Sequence, residues 1–113
     1  MRTTAKRTSD GYLLNGRKIF ITNGPIADVI LVYAKTDMEL GAQGISTFIV
    51  EKGFKGFQVA QKMIKMGYRG SQTGELVFDD CEVPAENLVG EENGGVAIMM
   101  GGLDIARAMI API

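Results

Sequence analysis

The 113-residue chain contains no histidine and only one cysteine, Cys81. Without histidine there is no Ser/His or Cys/His pair to activate a nucleophile. A single cysteine closes no internal disulfide and supplies no paired metal-ligand spacing. Charge is nearly balanced, 12 basic residues against 13 acidic ones for a net −1, so no basic footprint for nucleic acid is present. No run approaches the roughly eighteen apolar residues of a membrane span, and Met1-Arg2-Thr3-Thr4 does not lead into the apolar core of a secretory signal. The expected location is the cytoplasm of a bacterium or an organelle matrix. The glycine pairs Gly94-Gly95 and Gly101-Gly102 follow no strand with the spacing of a nucleotide-binding loop. Any chemistry therefore has to be borrowed from outside these side chains.

What is present points to strands. Fifteen glycines separate short apolar runs over most of the length. Asn15-Gly16 predicts a two-residue type I′ hairpin, because Asn-Gly best tolerates positive φ at both central positions, with residues 12–14 and 18–22 pairing antiparallel. The continuous apolar run at 29–34 predicts a strand covered on both faces. Further strands are expected at 44–51, 57–61 and 74–81, the last with Leu76, Phe78 and Asp80 on one side. Loops are expected at 36–44 and 67–73. The period changes after Pro84: Val96, Met99, Met100, Leu103, Ala106 and Ile110 recur at helical steps, and Glu91, Glu92 and Asn93 suit an acidic helix start. The methionines at 63, 66, 99, 100 and 109 read as core filler.

The expected fold is mainly β, a compact antiparallel β-barrel or two-sheet unit over residues 1–90, followed by one C-terminal α-helix within 91–113. The chain opens in a polar run and stops at Ile113 inside that helix, as a piece cut from a longer protein would. A helix with one apolar stripe needs partners, and Gly101-Gly102 inside it calls for close approach of another helix or of a ligand.

Two pairs of side chains could carry function. Alternation along 18–22 puts Lys18, Phe20 and Thr22 on one face and Ile19 and Ile21 on the core face. A ring and a hydroxyl so placed can lie against a flat aromatic ligand and offer one hydrogen bond at its edge. The plainer alternative makes Phe20 a second-face core residue and Thr22 a β-former. On the helix, Asp104 and Arg107 are surface neighbours, either an exposed ion pair or a grip on a polar, chain-like ligand.

Taken together, the motifs resemble the acyl-CoA dehydrogenases, flavoenzymes that desaturate acyl-CoA thioesters between the α and β carbons. They run from R-T-T-A at 2–5 through G-Y-L-L-N-G-R-K-I-F-I-T-N-G at 11–24, A-D-V-I-L-V-Y-A-K-T at 27–36 and G-I-S-T-F-I-V-E at 44–51. They continue with K-M-G-Y-R-G-S-Q-T at 65–73, L-V-F-D-D-C-E-V-P-A-E-N-L-V-G at 76–90 and L-D-I-A-R at 103–107. The resemblance implies the middle β domain plus the first helix of a C-terminal four-helix domain. It implies FAD as cofactor, with Phe20, Ile21 and Thr22 in the family's W-I-T segment, where the aromatic shields the isoalloxazine and the threonine bonds near N5. Phenylalanine here keeps the flat wall and loses the indole N–H.

The resemblance also implies that Asp104 contacts the pantetheine arm of the acyl-CoA substrate and that Arg107 lies near the active site. Some branches place the α-proton base directly before that arginine. Here the position is Ala106, so the base is expected beyond Ile113 and this chain holds none. Electrons would pass to an electron-transferring flavoprotein, and the intact enzyme would be a homo-oligomer. Other flavin contacts would precede Met1 or follow Ile113, so the isolated chain is expected to bind FAD weakly or not at all. Related acyl-CoA oxidases and nitroalkane oxidases share the architecture, and an assembly module without catalysis is the rival from another class.

Overall fold

The computed structural model of the chain describes residues 1–110. Seven strands form one sheet: β1 (Thr4–Arg7), β2 (Gly11–Thr22), β3 (Val29–Lys35), β4 (Ile45–Glu51), β5 (Phe57–Lys62), β6 (Thr73–Pro84) and β7 (Leu88–Val89). Their order is β5-β6-β2-β1-β3-β4-β7. All ladders are antiparallel except β1 with β3, which meet at the single pair Thr4 and Lys35. The mainly β fold with one C-terminal helix, α1 (Gly95–Ile110), is thus observed, as a single curled sheet whose end strands do not pair. Short 3₁₀ turns at Gly41–Gly44 and Ala85–Asn87 complete the connections.

The hairpin forms elsewhere than Asn15-Gly16. β2 runs straight through those residues, and the turn lies at Thr8–Gly11, closed by Thr8 N donating to the Gly11 carbonyl at 2.8 Å and Gly11 N donating to Thr8 Oγ1 at 3.1 Å. The Asn15 side chain is spent across the sheet, with Nδ2 donating to Asp80 Oδ1 at 3.0 Å and Oδ1 accepting from Asp80 N at 2.9 Å. Leu14 pairs with Cys81 but Gly16 with Phe78, so β6 carries one extra residue there. This bulge holds Asp80 at φ 45° and flips the strand's parity: Leu76 and Phe78 are buried, then Cys81 and Val83, while Asp80 is outside, contrary to simple alternation. Gly16 is needed for another reason, since its φ is 143° and a Cβ would lie 2.8 Å from Thr3 Cα.

The core is the concave face, where Tyr12 and Leu14 of β2, Val32 and Ala34 of β3, Phe48 and Val50 of β4, and Leu76, Phe78, Cys81 and Val83 of β6 meet. Tyr12 and Phe48 pack edge to face with centroids 4.8 Å apart although β2 and β4 are not neighbours, so the sheet coils until its flanks touch. β3 is covered on one face only. Val29 and Leu31 point outward and are exposed, Leu31 beside Ile49, which corrects the expectation drawn from its unbroken apolar run.

The helix forms where its periodicity places it, but only its first turn is held. Gly95 is buried, Val96, Ile98 and Met99 are half-buried, and every residue from Met100 to Ile110 is exposed. Residues 111–113, the end of the expected helix, lie outside the described part. Of the methionines read as filler, Met66, Met100 and Met109 are exposed. No acidic residue occupies the first helical turn. Glu92 and Asn93 instead tie the helix entry to the sheet: Glu92 to Tyr12 and Arg7, Asn93 to Thr36 and Ser46.

Candidate functional site

A second bulge shapes the end of β2. Lys18 pairs with Leu76 and Ile21 with Gly74, so Ile19 and Phe20 together face the one residue Glu75. The extra residue is absorbed by Phe20, whose φ is 60°, a left-handed conformation that costs a side-chain-bearing residue about 1–2 kcal/mol. The consequence is directional. Phe20 is 71% exposed, Thr22 is exposed two residues on, and Ile21 turns in against the core.

Simple alternation therefore placed three of these five side chains correctly and two not. Ile19 is exposed rather than in the core. Lys18 does not share the face of Phe20: it is half-buried, its Nζ donates to the Tyr33 carbonyl at 2.8 Å, and burial lowers its pKa. Phe20 is not a core residue, so the plainer alternative for it fails.

The segment after Thr22 is pinned in turn. Thr22 pairs with Thr73, and Asn23, at φ 61°, donates its N–H to the Gln72 carbonyl at 2.6 Å. Pro25 covers Gly74, where a Cβ would come within 2.6 Å of the Pro25 ring. The ring and hydroxyl are thus presented from a braced strand end, with the β5–β6 loop beside it.

Asp104 and Arg107 sit on the exposed part of α1. The ion pairs among the described residues are Arg7 with Glu92 at 3.0 Å and Arg17 with Glu75 at 3.3 Å, so the pair expected within the helix does not form. An open cleft of about 610 Å³ runs between residues 8–13, Phe54, Lys55 and residues 82–84, and a depression of about 190 Å³ lies in the β5–β6 loop. Neither is lined by Phe20, Ile21, Thr22, Asp104 or Arg107.

The polar cluster at the helix base escaped sequence reasoning. Tyr12 Oη donates to Glu92 Oε1 at 2.9 Å, Arg7 Nη2 donates to Tyr12 Oη at 3.2 Å, and the guanidinium lies 5.7 Å from the Tyr12 ring centroid. The Tyr12 bond and the Glu92 carboxylate raise the Arg7 pKa, and burial foremost raises that of Tyr12. No spacing rule links residues eighty positions apart, so no sequence signal was available.

The sequence pattern of the acyl-CoA dehydrogenase middle domain matches residues 1–81. The chain belongs to the acyl-CoA dehydrogenase family. It is 52% identical over 111 residues to the mitochondrial isovaleryl-CoA dehydrogenase of Oryza sativa subsp. japonica, a match that covers 98% of this chain and 27% of that protein. Among solved structures, butyryl-CoA dehydrogenase from Megasphaera elsdenii superposes with a TM-score of 0.88 at 53% identity, covering 91% of this chain and 27% of that one. The FAD complex of PigA superposes with a TM-score of 0.85 at 42% identity, over 89% of this chain and 26% of that one. This family domain thus spans about a quarter of the length of the relatives it matches.

Proposed function

We propose that the chain forms one wall of the FAD site, and part of the acyl-CoA site, of a flavin-dependent acyl-CoA dehydrogenase. One observation carries the reading. A bulge holds Phe20 in a strained conformation and turns its ring outward, with the Thr22 hydroxyl exposed on the same strand end. An aromatic ring held toward water at a backbone cost fits a surface completed by a flat ligand.

In this reading the Phe20 ring lies against the isoalloxazine and excludes water from it, while Thr22 Oγ1 donates a hydrogen bond at its edge. Ile21, packed on the core, fixes both. FAD, when bound, accepts the β-hydrogen of the thioester as hydride. Asp104 binds the pantetheine arm, Arg107 lies by the reacting carbons, and Ala106 transfers no proton, so the α-proton base belongs to another part of the polypeptide. Residues 1–90 are the middle domain and 91–113 the start of the helical domain. The bare face of α1 fits that division and a homo-oligomeric enzyme. An electron-transferring flavoprotein is the electron acceptor, in the bacterial cytoplasm or the mitochondrial matrix.

The test is an assay of the full-length protein with a panel of acyl-CoAs. Flavin bleaching and reduction of an artificial acceptor without peroxide are expected. Peroxide formation with oxygen would replace the dehydrogenase by an oxidase, and silence with every thioester would leave only an assembly role. Phe20→Ala is expected to weaken flavin retention at least severalfold.

A further inference from the structure

β1 separates β2 from β3 only as far as Thr3, whose carbonyl accepts from Lys35 N at 2.9 Å and whose Oγ1 reaches the Arg17 carbonyl at 3.5 Å. Past that point β2 runs on to Thr22 and β3 back to Val29, and among the described residues no strand pairs between them. Main-chain groups alternate between the two edges of a strand. Thr36 N bonds toward β4, at the Gly44 carbonyl, and Lys35 N toward Thr3, so the Tyr33 carbonyl faces the slot between β3 and β2. A carbonyl drawn out of water needs a donor. Lys18 Nζ supplies it from β2 at 2.8 Å.

The arrangement is costly for the lysine. An ammonium loses hydration on burial and is normally matched by a carboxylate. Lys18 is half-buried, shares a face with its cross-strand partner Leu76 in the core, and takes part in neither ion pair found among the described residues. An apolar side chain would cover the same stretch of core without a charge to desolvate. What only the long arm and its charge-assisted donor provide is a tie from β2 to β3.

The place of the tie gives it a role. Lys18 with Leu76 is the last regular pair before the bulge, and Ile21 with Gly74 is the first after it. The far end is held by Thr22 paired with Thr73 and by Asn23 N on the Gln72 carbonyl. Between these pins, Ile19 and Phe20 share the single partner Glu75. A bulge displaced by one residue would exchange the faces of Ile19 and Phe20, relieve the left-handed backbone at Phe20 and withdraw its ring. We propose that Lys18 is a positioning residue for the flavin wall: its bond to the Tyr33 carbonyl locks the near end of the bulge and so fixes where the Phe20 ring and the Thr22 hydroxyl point. Lys18 acts through the strand, from the face opposite the ring. The inference rests on the flavin site proposed above and names the residue that holds its wall in place.

The experiment uses the full-length holoenzyme and a double-mutant cycle of Lys18→Met, which keeps the apolar stem and removes the donor, with Phe20→Ala. In Lys18→Met the Kd for FAD is expected to rise about tenfold, the worth of one hydrogen bond to a charged group, with the visible bands of the bound flavin shifted and kcat lowered more than KM for the thioester. Lys18→Arg, which keeps a charged donor, should restore the wild-type bands. The Lys18→Met/Phe20→Ala enzyme should hold FAD no more weakly than Phe20→Ala alone, because a tie that works through the ring has nothing left to position. Should Lys18→Met fail to fold, Lys18→Gln, a neutral donor on a shorter arm, takes its place in the cycle. Unaltered flavin bands and kcat without the lysine overturn the positioning role. So do losses that multiply in the double variant, which would show Lys18 supporting the fold at large. A wild-type enzyme whose flavin no acyl-CoA bleaches overturns the flavin site itself, and this role with it.

Discussion

Tyr12 Oη donates a 2.9 Å hydrogen bond to Glu92 Oε1, joining the start of β2 to the segment that launches α1 eighty residues later. The ring beneath that hydroxyl is buried against Phe48, so the helix is referenced to the middle of the core rather than to a mobile edge. Asn93 adds a second tie: its Oδ1 accepts from Thr36 Oγ1 at 2.6 Å and its N–H donates to Ser46 Oγ at 2.7 Å. Beyond its first turn α1 is bare, so its direction is decided at its base.

Tyr12→Phe keeps the ring and removes the donor. Unfolding in urea is expected to show a loss of about 1 kcal/mol, the net value of one intramolecular hydrogen bond. Amide exchange in the first turn of α1 should quicken more than exchange in β6. Equal protection of the two segments would show that the bond does not hold the helix.

Gly95→Ala tests the close approach at the same joint. A Cβ there would meet the Ile45 carbonyl oxygen at 2.8 Å, a backbone atom that cannot swing away. Alanine normally favours a helix, yet here a loss of about 1–3 kcal/mol is expected from the forced displacement. A raised melting temperature would contradict the packing.

Phe20→Gly separates folding from function. Glycine relieves the left-handed strain, and an exposed ring contributes little burial, so the flavin-free chain should gain up to about 1 kcal/mol in urea unfolding. The full-length variant should release flavin more readily than wild type. Loss of stability without ligand would mean that the ring supports the fold instead of a guest.

Cys81 supplies a pH signature. Burial, with a smaller push from Glu82, raises its thiol from 9.0 to about 11. The unfolded thiol ionises first, so the unfolded state binds fewer protons above pH 9, and this contribution to stability is complete below 9 and lost as pH climbs towards 11. Cys81→Ala should flatten the stability profile across that window. An aromatic disulfide reagent should leave the native thiol untouched at pH 8 and label it in denaturant.

Most strands were legible because burial on one face writes itself into composition at a period of two, and α1 because its apolar residues repeat at helical steps. The family motifs, spread in order along the whole chain, carried the domain's identity. Two things were illegible for one reason: each depends on what lies across the sheet. Asn15 looks like a turn former until Asp80 takes its side chain. The apolar run of β3 looks doubly covered although only one face meets the core.

The sequence by itself determined which residues can be strand, helix and core, and which segment resembles a flavin wall, since these follow from local propensity and pattern. Only the tertiary structure decided where Phe20 points and how α1 leaves the sheet. A bulge is a mismatch in count between two strands, and the helix base is a set of bonds between distant residues. Neither exists until the chain has folded back on itself.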